Sequence, residues 1–561
     1  MIRKLVQVGL ALLAGLVAPT CARSGEQPDG REAFVLADLK KPGVVPAYLI
    51  ICPEKAVAEV MPLAKWRSSH GQTVRIATAE AIYKAFGNGR ASAKSIRDFL
   101  HSLAKPPAAP GQPKFLLLVG TADRRNAEGM YLPTCITRAR FYSREMPSDR
   151  YLAGDRPYAT PPAARAPSIA VGRLPARSLA DLRVMVRKTL EYERGKAPGQ
   201  WRRRADVFAG PAGFGRTIDA VLERFFSIVL ADHAPNYLNC HLSYANPASA
   251  YCYAPSRFSD HMVERLNAGP ALMFYIGHGS EKGFDRFTWK GRTYPILNSS
   301  AVKAIRIPHH RTIVVALACS TGRFDGAEAS IGERLLASPG GPAIFVGSSR
   351  ISQPYANAIL GAFLTEALLD SPPPTVGQAF LQVQEWLARD RRTGFRTMVD
   401  LLAATQLGFA ALSDQRADQI TLYNLLGDPA LSLPVVRERA ALSAPAAAWP
   451  GQTIEVRMKG PVKTGTAYFS LTIRRDRTLT PVAAVPEDRP GAEAEMIRTN
   501  ARANNKVVVE KAVKITEGKA AWSVRIPADC PAGECHINVY AQGQQADAGG
   551  SRKISIQGQE Q

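Results

Sequence analysis

A histidine framed by glycines, Gly277-His278-Gly279, and a cysteine, Cys319, each follow directly on a run of apolar residues. The runs are Phe274-Tyr275-Ile276 and Val314-Val315-Ala316-Leu317-Ala318. A thiol and an imidazole are the two parts of a nucleophilic acyl-transfer site. The thiol attacks a carbonyl only as thiolate, and its free pKa is about 8.5. A neighbouring imidazole takes that proton and later returns it to the leaving amine. Gly277 and Gly279 permit unusual dihedrals and let a substrate backbone approach closely. The N–H groups of Gly279 and Cys319 could meet a developing oxyanion, an effect of about 3 kcal/mol per donor. Taken singly, the histidine reads equally well as a strand cap and the cysteine as a buried thiol.

The elements around them argue for the pair. Ala271–Ile276 and Thr312–Ala318 read as buried strands, with one helix expected between them at Ser300–Ile305. That order makes them parallel neighbours joined by a right-handed crossover. The 41 positions between His278 and Cys319 then fold into a short distance at the carboxyl ends of adjacent strands, where open α/β sheets carry their sites.

Continuous apolar runs alternating with helical periodicity recur upstream and downstream, which argues a parallel sheet. Strands are expected at Ala47–Ile51, Thr73–Ile76, Phe115–Gly120, Ile169–Arg173, Asp206–Ala209 and Ala343–Val346. Helices are expected at Val57–His70, Ser92–Leu103, Leu179–Glu193, Ile218–Leu230, Ser330–Leu336, Ala356–Leu369 and Val376–Ala388. After Ala440 the period changes to two, in Thr453–Arg457, Ala467–Ile473 and Trp522–Ile526. The fold class that follows is α/β: a first α/β unit over 46–200, a second over 201–436 that carries the chemistry, and a C-terminal β-sandwich of immunoglobulin type over 437–561.

Residues 1–22 read as a signal peptide: Arg3 and Lys4, an apolar run from Leu5 to Ala18, then Thr20-Cys21-Ala22. Cleavage is expected after Ala22, with 23–45 an N-terminal extension. A lipid anchor through Cys21 is the alternative. The mature chain is expected to be exported, to the cell surface, the periplasm or the medium.

Export shapes the cysteine count. Beyond Cys21 lie Cys52, Cys135, Cys240, Cys252, Cys319, Cys530 and Cys535, an odd number. In an oxidising compartment most are expected to pair, with Cys319 left free. Cys530 with Cys535 across a Pro-Ala-Gly-Glu turn is one candidate pair, Cys240 with Cys252 another, Cys52 with Cys135 a third. The alternative is that all seven are thiols.

The chain carries a net charge of +23 over 561 residues. Arginines crowd between Arg138 and Arg216, a face that could attract acidic polymers and is more simply a solvated surface. No zinc-finger spacing or aromatic-plus-basic stacking pattern is present, so nucleic acid is not expected as a partner. Gly210–Gly215 lacks the glycine order of a dinucleotide fingerprint. His309-His310 has no third ligand in view, so no metal site is assigned.

At His278 and Cys319 the sequence resembles the gingipain-type cysteine peptidases, relatives of the caspases. Ser148-Asp149-Arg150-Tyr151 with Ile169–Pro175 is similar to the end of that family's first subdomain, and Leu422–Pro429 to its closing segment. The likeness covers roughly Ala47–Pro434. It implies two caspase-like subdomains, His278 as base, Cys319 as nucleophile, protein or peptide substrates, and no required cofactor. The family's structural calcium has no acidic loop here to which it could be assigned. Gly210–Gly215 with Asp219 resembles the turn before the acidic residue of an arginine-specific pocket, which would favour a basic residue before the scissile bond. Asp219 could equally stabilise its own helix N-terminus. The family's arginine-specific members orient the histidine with a glutamate in that turn, where this chain has Pro211 and Ala212. Gly347-Ser348-Ser349, after the strand beside the cysteine strand, could line the substrate channel or be an ordinary loop. Two other readings stay open: a surface sortase of the same fold, and a non-catalytic surface binding protein.

Overall fold

Runs such as Tyr48-Leu49-Ile50-Ile51-Cys52 and Phe115-Leu116-Leu117-Leu118-Val119 have no polar face, so they are stable only where both sides are covered. In the computed structural model both are strands buried at every position. The structure describes residues 33–39, 45–103, 114–125, 128–146, 149–161, 164–195, 197–211, 231–232, 234–370 and 373–558. The leader at 1–22, the helix expected at 218–230, and Ala212 and Asp219 lie outside the described residues.

Ten strands form the central sheet: β1 (Tyr48–Cys52), β2 (Val74–Thr78), β3 (Phe115–Val119), β4 (Ala170–Leu174), β5 (Arg204–Ala209), β6 (Asn239–Tyr244), β7 (Leu272–Ile276), β8 (Ile313–Leu317), β9 (Ile344–Ser348) and β10 (Tyr423–Leu426). Their spatial order is β2-β1-β3-β4-β10-β9-β8-β7-β5-β6. Every neighbouring pair is parallel except β9 with β10. The two α/β units expected from the sequence therefore share one sheet. Strand β10 is the seam, antiparallel to β9 through Leu426↔Phe345 and parallel to β4 through Leu426↔Arg173. The two halves run in opposite directions, so their carboxyl ends open on opposite edges.

Helices cover both faces. Val57–Ser69 packs with Leu179–Arg194 on one side, and Pro354–Leu369 with Val376–Ala388 on the other. One face supports a continuous core centred on Ile50, Leu117, Phe208 and Phe345; the other carries two, one around Phe274, Val315, Ile359 and Leu425 and one around Leu49, Leu116, Ile82 and Phe99. Each fully buried Leu, Ile or Phe contributes about 1.5–3 kcal/mol through removal from water. The two halves are also tied by charge: Arg67, in the first helix, pairs with Glu193 at 3.0 Å and with Asp428 at 2.6 Å, and Tyr48 donates to Asp428 at 3.0 Å.

Two expectations need correction. The segment between β7 and β8 contains no α-helix at Ser300–Ile305. A 3₁₀ turn, Ala301–Ala304, stands there, preceded by two hairpins, Gly279–Phe284 and Arg286–Pro295. The second hairpin turns through Lys290 and Gly291, both at positive φ, the mirror-image turn geometry that matches strand twist. None of the three candidate disulfides is formed, since all seven cysteines beyond Cys21 are free thiols. Cys530 and Cys535 do sit within hydrogen-bonding reach of each other. Cys52 and Cys135 are buried singly, and burial pushes both thiols up, Cys135 to about 12.

The C-terminal region consists of a six-stranded and a three-stranded sheet. Thr453–Lys459 and Lys519–Arg525 alternate exposed and buried along their length, the period-two pattern of a half-buried sheet. Val456, Trp522 and Val524 point into a core shared with Phe469 and Ile537. A helix absent from the sequence reading, Ala492–Asn504, reaches back from this region and contacts β6.

Candidate active site

Strands β7 and β8 run side by side in register, ending at Ile276↔Leu317. Two residues further along each chain come His278 and Cys319, so the ladder delivers both to the same edge. The Gly277 N–H extends that ladder by donating to the Leu317 carbonyl at 3.2 Å. The two loops then touch: a Cβ on Gly279 would stand 3.0 Å from the Ala318 Cβ and 3.2 Å from the Cys319 carbonyl oxygen. Gly277 sits at φ +156°, and a Cβ there would meet the Tyr275 hydroxyl at 2.9 Å. Both glycines of the motif are required by close approach.

Cys319 is half-buried and His278 exposed. The imidazole makes no hydrogen bond among the described residues. The sulfur instead lies against Ser352, accepting its N–H at 3.4 Å and approaching its hydroxyl at 3.8 Å. The Cys319 N–H has no protein partner among the described residues, while the next residue, Ser320, is held at φ +55° by its N–H bond to Arg350. A strained turn thus leaves one backbone donor beside the thiol unspent.

Two supports were not legible in the sequence. Tyr275, fully buried and stacked on Phe284 at 3.9 Å, donates to the His278 carbonyl at 2.6 Å and accepts from the Asp285 N–H at 3.1 Å. It clamps the histidine loop from beneath. Behind the cysteine, the Ser352 hydroxyl accepts from Asn357 at 2.9 Å, and the Asn357 side-chain oxygen accepts from Tyr423 and Gln419, each at 2.8 Å. Burial, with the nearby Asp285 and Cys319, pushes the Tyr275 phenol well above its ordinary range, and burial does the same to the Tyr423 phenol. Both phenols therefore remain hydrogen-bond donors across ordinary pH. Their only sequence signal is position, at a strand interior and on the seam strand.

The loop after β9 departs from its expected part. Ser348 and Ser349 are fully buried. Ser348 donates to the Ala318 carbonyl at 2.6 Å, and Ser349 to Ala153 at 2.6 Å. Gly347 is packed against Gly322 and leaves no room for a side chain. The Ser348 hydroxyl braces the cysteine turn, the Ser349 hydroxyl ties the strand end to Ala153 and Leu422, and neither faces a channel. Arg350 is the first residue of the loop to reach the surface, where it forms a bidentate pair with Asp325 at 2.6 and 2.8 Å.

The turn after β5 passes beside the histidine loop, with the Gly210 N–H donating to the Ile276 carbonyl at 2.8 Å. Its next residue, Pro211, brings no carboxylate, and His278 has no carboxylate partner among the described residues. Among the described residues no cluster of His, Cys, Asp or Glu gathers as a metal site.

A ten-stranded, largely parallel sheet carrying a cysteine and a histidine on neighbouring strand ends defines an α/β protein with a candidate thiol site at one sheet edge. Residues 42–434 match Peptidase family C25, and the chain belongs to that family. It is 22% identical over 343 residues to Gingipain R2 of Porphyromonas gingivalis, covering 59% of this chain and 40% of that protein. The chain thus spans about two fifths of the length of this curated relative. A solved structure titled "Structure of Protease" shares the fold at a TM-score of 0.50, with 15% identity, over 91% of this chain and 97% of the other. The crystal structure of the Arg-specific cysteine proteinase gingipain R is similar at a TM-score of 0.49 and 16% identity, over 93% and 99%.

Proposed function

We propose that the protein is an exported cysteine endopeptidase in which Cys319 is the nucleophile and His278 the general base. The observation that carries this reading is the register of β7 and β8, which sets the two residues at matching ends of adjacent strands with their loops in van der Waals contact. In the reaction, His278 takes the Cys319 proton as the sulfur attacks the scissile carbonyl. The N–H groups of Cys319 and Gly279 receive the oxyanion. His278 then protonates the departing amine, and water hydrolyses the thioester to a free acid. Among the described residues no side chain orients the imidazole; Tyr275 holds the loop by its backbone. Among the described residues no helix is long and apolar enough to cross a membrane.

A preference for Arg or Lys before the scissile bond rests on Asp219 and is tested with three peptide sets bearing a basic, an acidic or an apolar residue at that place. Basic peptides are expected to be cleaved with the highest kcat/KM and to yield free carboxyl ends by mass spectrometry. Preferred cleavage of acidic peptides would remove Asp219 from the pocket, and joined amide products would identify a transpeptidase.

Tyr275→Phe tests the clamp. It removes the bond to the His278 carbonyl and orphans the Asp285 N–H, at a cost of about 1–2 kcal/mol in stability. The expected result is a kcat lowered by about tenfold, because a misplaced base loses near-attack geometry, with KM little changed. An unaltered kcat in a folded variant would show that the loop holds itself.

A further inference from the structure

Strand β6 is the outer edge of the central sheet, and an edge exposes a row of unpaired backbone groups. Here the row is covered by side chains from the C-terminal region. The Leu242 N–H donates to the Asn504 side-chain oxygen at 2.7 Å, and the Leu242 carbonyl accepts from the Asn504 amide at 2.9 Å and from Asn500 at 3.3 Å. Two residues earlier on the same outward side, Cys240 has no such cover and faces a cavity of about 410 Å³ between β6 and the C-terminal sheet.

The wall of this cavity is strongly one-signed. Arg204, Arg265, Arg475 and Lys506 line it, and among the described residues no carboxylate does. Arg265 is neutralised from behind by buried Asp206 at 3.0 Å, and Arg475 is spent on the carbonyls of Ala234, Pro235 and Leu238. Arg204 is exposed and its side chain makes no hydrogen bond among the described residues. Lys506 donates only to neutral oxygens, the Tyr251 hydroxyl at 3.2 Å and the Arg477 carbonyl at 2.5 Å. Burial brings its pKa down to about 8, offset only in part by the Asp476 carboxylate, which is itself paired with Arg474 at 2.9 Å. A low-dielectric cleft lined by one sign of charge concentrates counter-ions, and a half-buried ammonium whose nearest carboxylate is shared with an arginine is incompletely neutralised.

We infer that this cavity binds a compact polyanion carrying two or more carboxylate or phosphate groups, held by Arg204, Lys506 and the outward edge of β6 at Cys240. The occupant is small because the walls come from two regions of the chain facing each other, whereas a long acidic polymer would lie on the open arginine face. The site lies away from Cys319 and His278 and takes no part in peptide cleavage. Its ligand would fasten the C-terminal region to the sheet edge.

The test is calorimetric titration of the full chain at low ionic strength with inorganic pyrophosphate and, separately, citrate, the stronger of the two revealing the preferred chemistry. One saturable site is expected for at least one probe, weakening as salt rises, together with a higher melting temperature. Arg204→Gln and Lys506→Gln are each expected to weaken binding by about tenfold without altering basal peptidase activity. Arg204 is exposed, so its variant keeps the test decisive should Lys506→Gln fail to fold. Absence of saturable binding for both probes would overturn the inference. So would equal affinity in Arg204→Gln, or binding only of a long sulfated polysaccharide insensitive to that substitution.

Discussion

Cys319→Ala is expected to abolish peptide cleavage while leaving the melting temperature within a degree or two of the parent. The sulfur's hydrogen-bonding contacts are three weak approaches to Ser352, so its loss costs little. Removing the attacking atom from a covalent mechanism typically costs four or more orders of magnitude in kcat, about 10⁴-fold or greater, because the remaining donors only bind and polarise. Steady-state hydrolysis of basic peptides by the purified pair of proteins checks this. A thiol-directed alkylating reagent adds a second reading: of the seven free thiols, only Cys319 and Cys240 are not buried, so labelling should track activity through Cys319. Residual turnover above a hundredth of the parent would displace this thiol from the mechanism.

Arg173→Met is expected to produce the largest loss of stability of any single change in the sheet. Arg173 is fully buried and makes five charge-assisted or carbonyl bonds: two to Asp155 at 2.7 and 2.8 Å, and one each to Gly120, Leu132 and Pro133 at 2.8, 3.0 and 3.1 Å. Its guanidinium also stacks over the Phe324 ring at 5.0 Å. Methionine fills the volume but leaves the Asp155 carboxylate buried without its cation and the Gly120 and Leu132 carbonyls without this donor, while Pro133 keeps its bond from the Tyr158 hydroxyl at 2.7 Å. Breaking one side of a buried pair costs about 3–5 kcal/mol, which urea unfolding would read as a fall in midpoint at constant slope. The double variant Arg173→Met with Asp155→Leu should recover part of that loss. A loss below about 1 kcal/mol, the scale of an exposed pair, would mean that water reaches this site.

The candidate site was more legible than the frame that carries it. Strands β7 and β8 announce themselves as unbroken apolar runs, and their pairing puts the glycine-bracketed histidine and the cysteine at one sheet edge. Strand β10 was hidden because it is four residues long and contains Asn424, whose buried side chain is satisfied by backbone both distant and local, accepting the Asp155 N–H at 3.0 Å and donating to the Leu422 carbonyl at 3.2 Å. Strand β6, Asn-Cys-His-Leu-Ser-Tyr, shows no hydrophobic period because its outer edge meets amides from Asn500 and Asn504. Ser348 and Ser349 look like loop residues by type, yet tertiary bonds bury them. Local patterns report burial and period, whereas these residues are fixed by partners far away in sequence.

The seam strand has a consequence for how the protein is made. During synthesis, β1–β4 and β5–β9 can each assemble as they leave the ribosome, since their pairings lie within their own half. Until Tyr423–Leu426 emerges, β4 and β9 are both bare margins, and bare margins recruit other strands. The last of the ten strands to be translated is thus the one that shields two at once, through contacts of long sequence separation that form slowly. A nascent chain arrested before residue 423 would be a substrate for chaperones or a seed for aggregates, even though its thiol and imidazole had already been laid down.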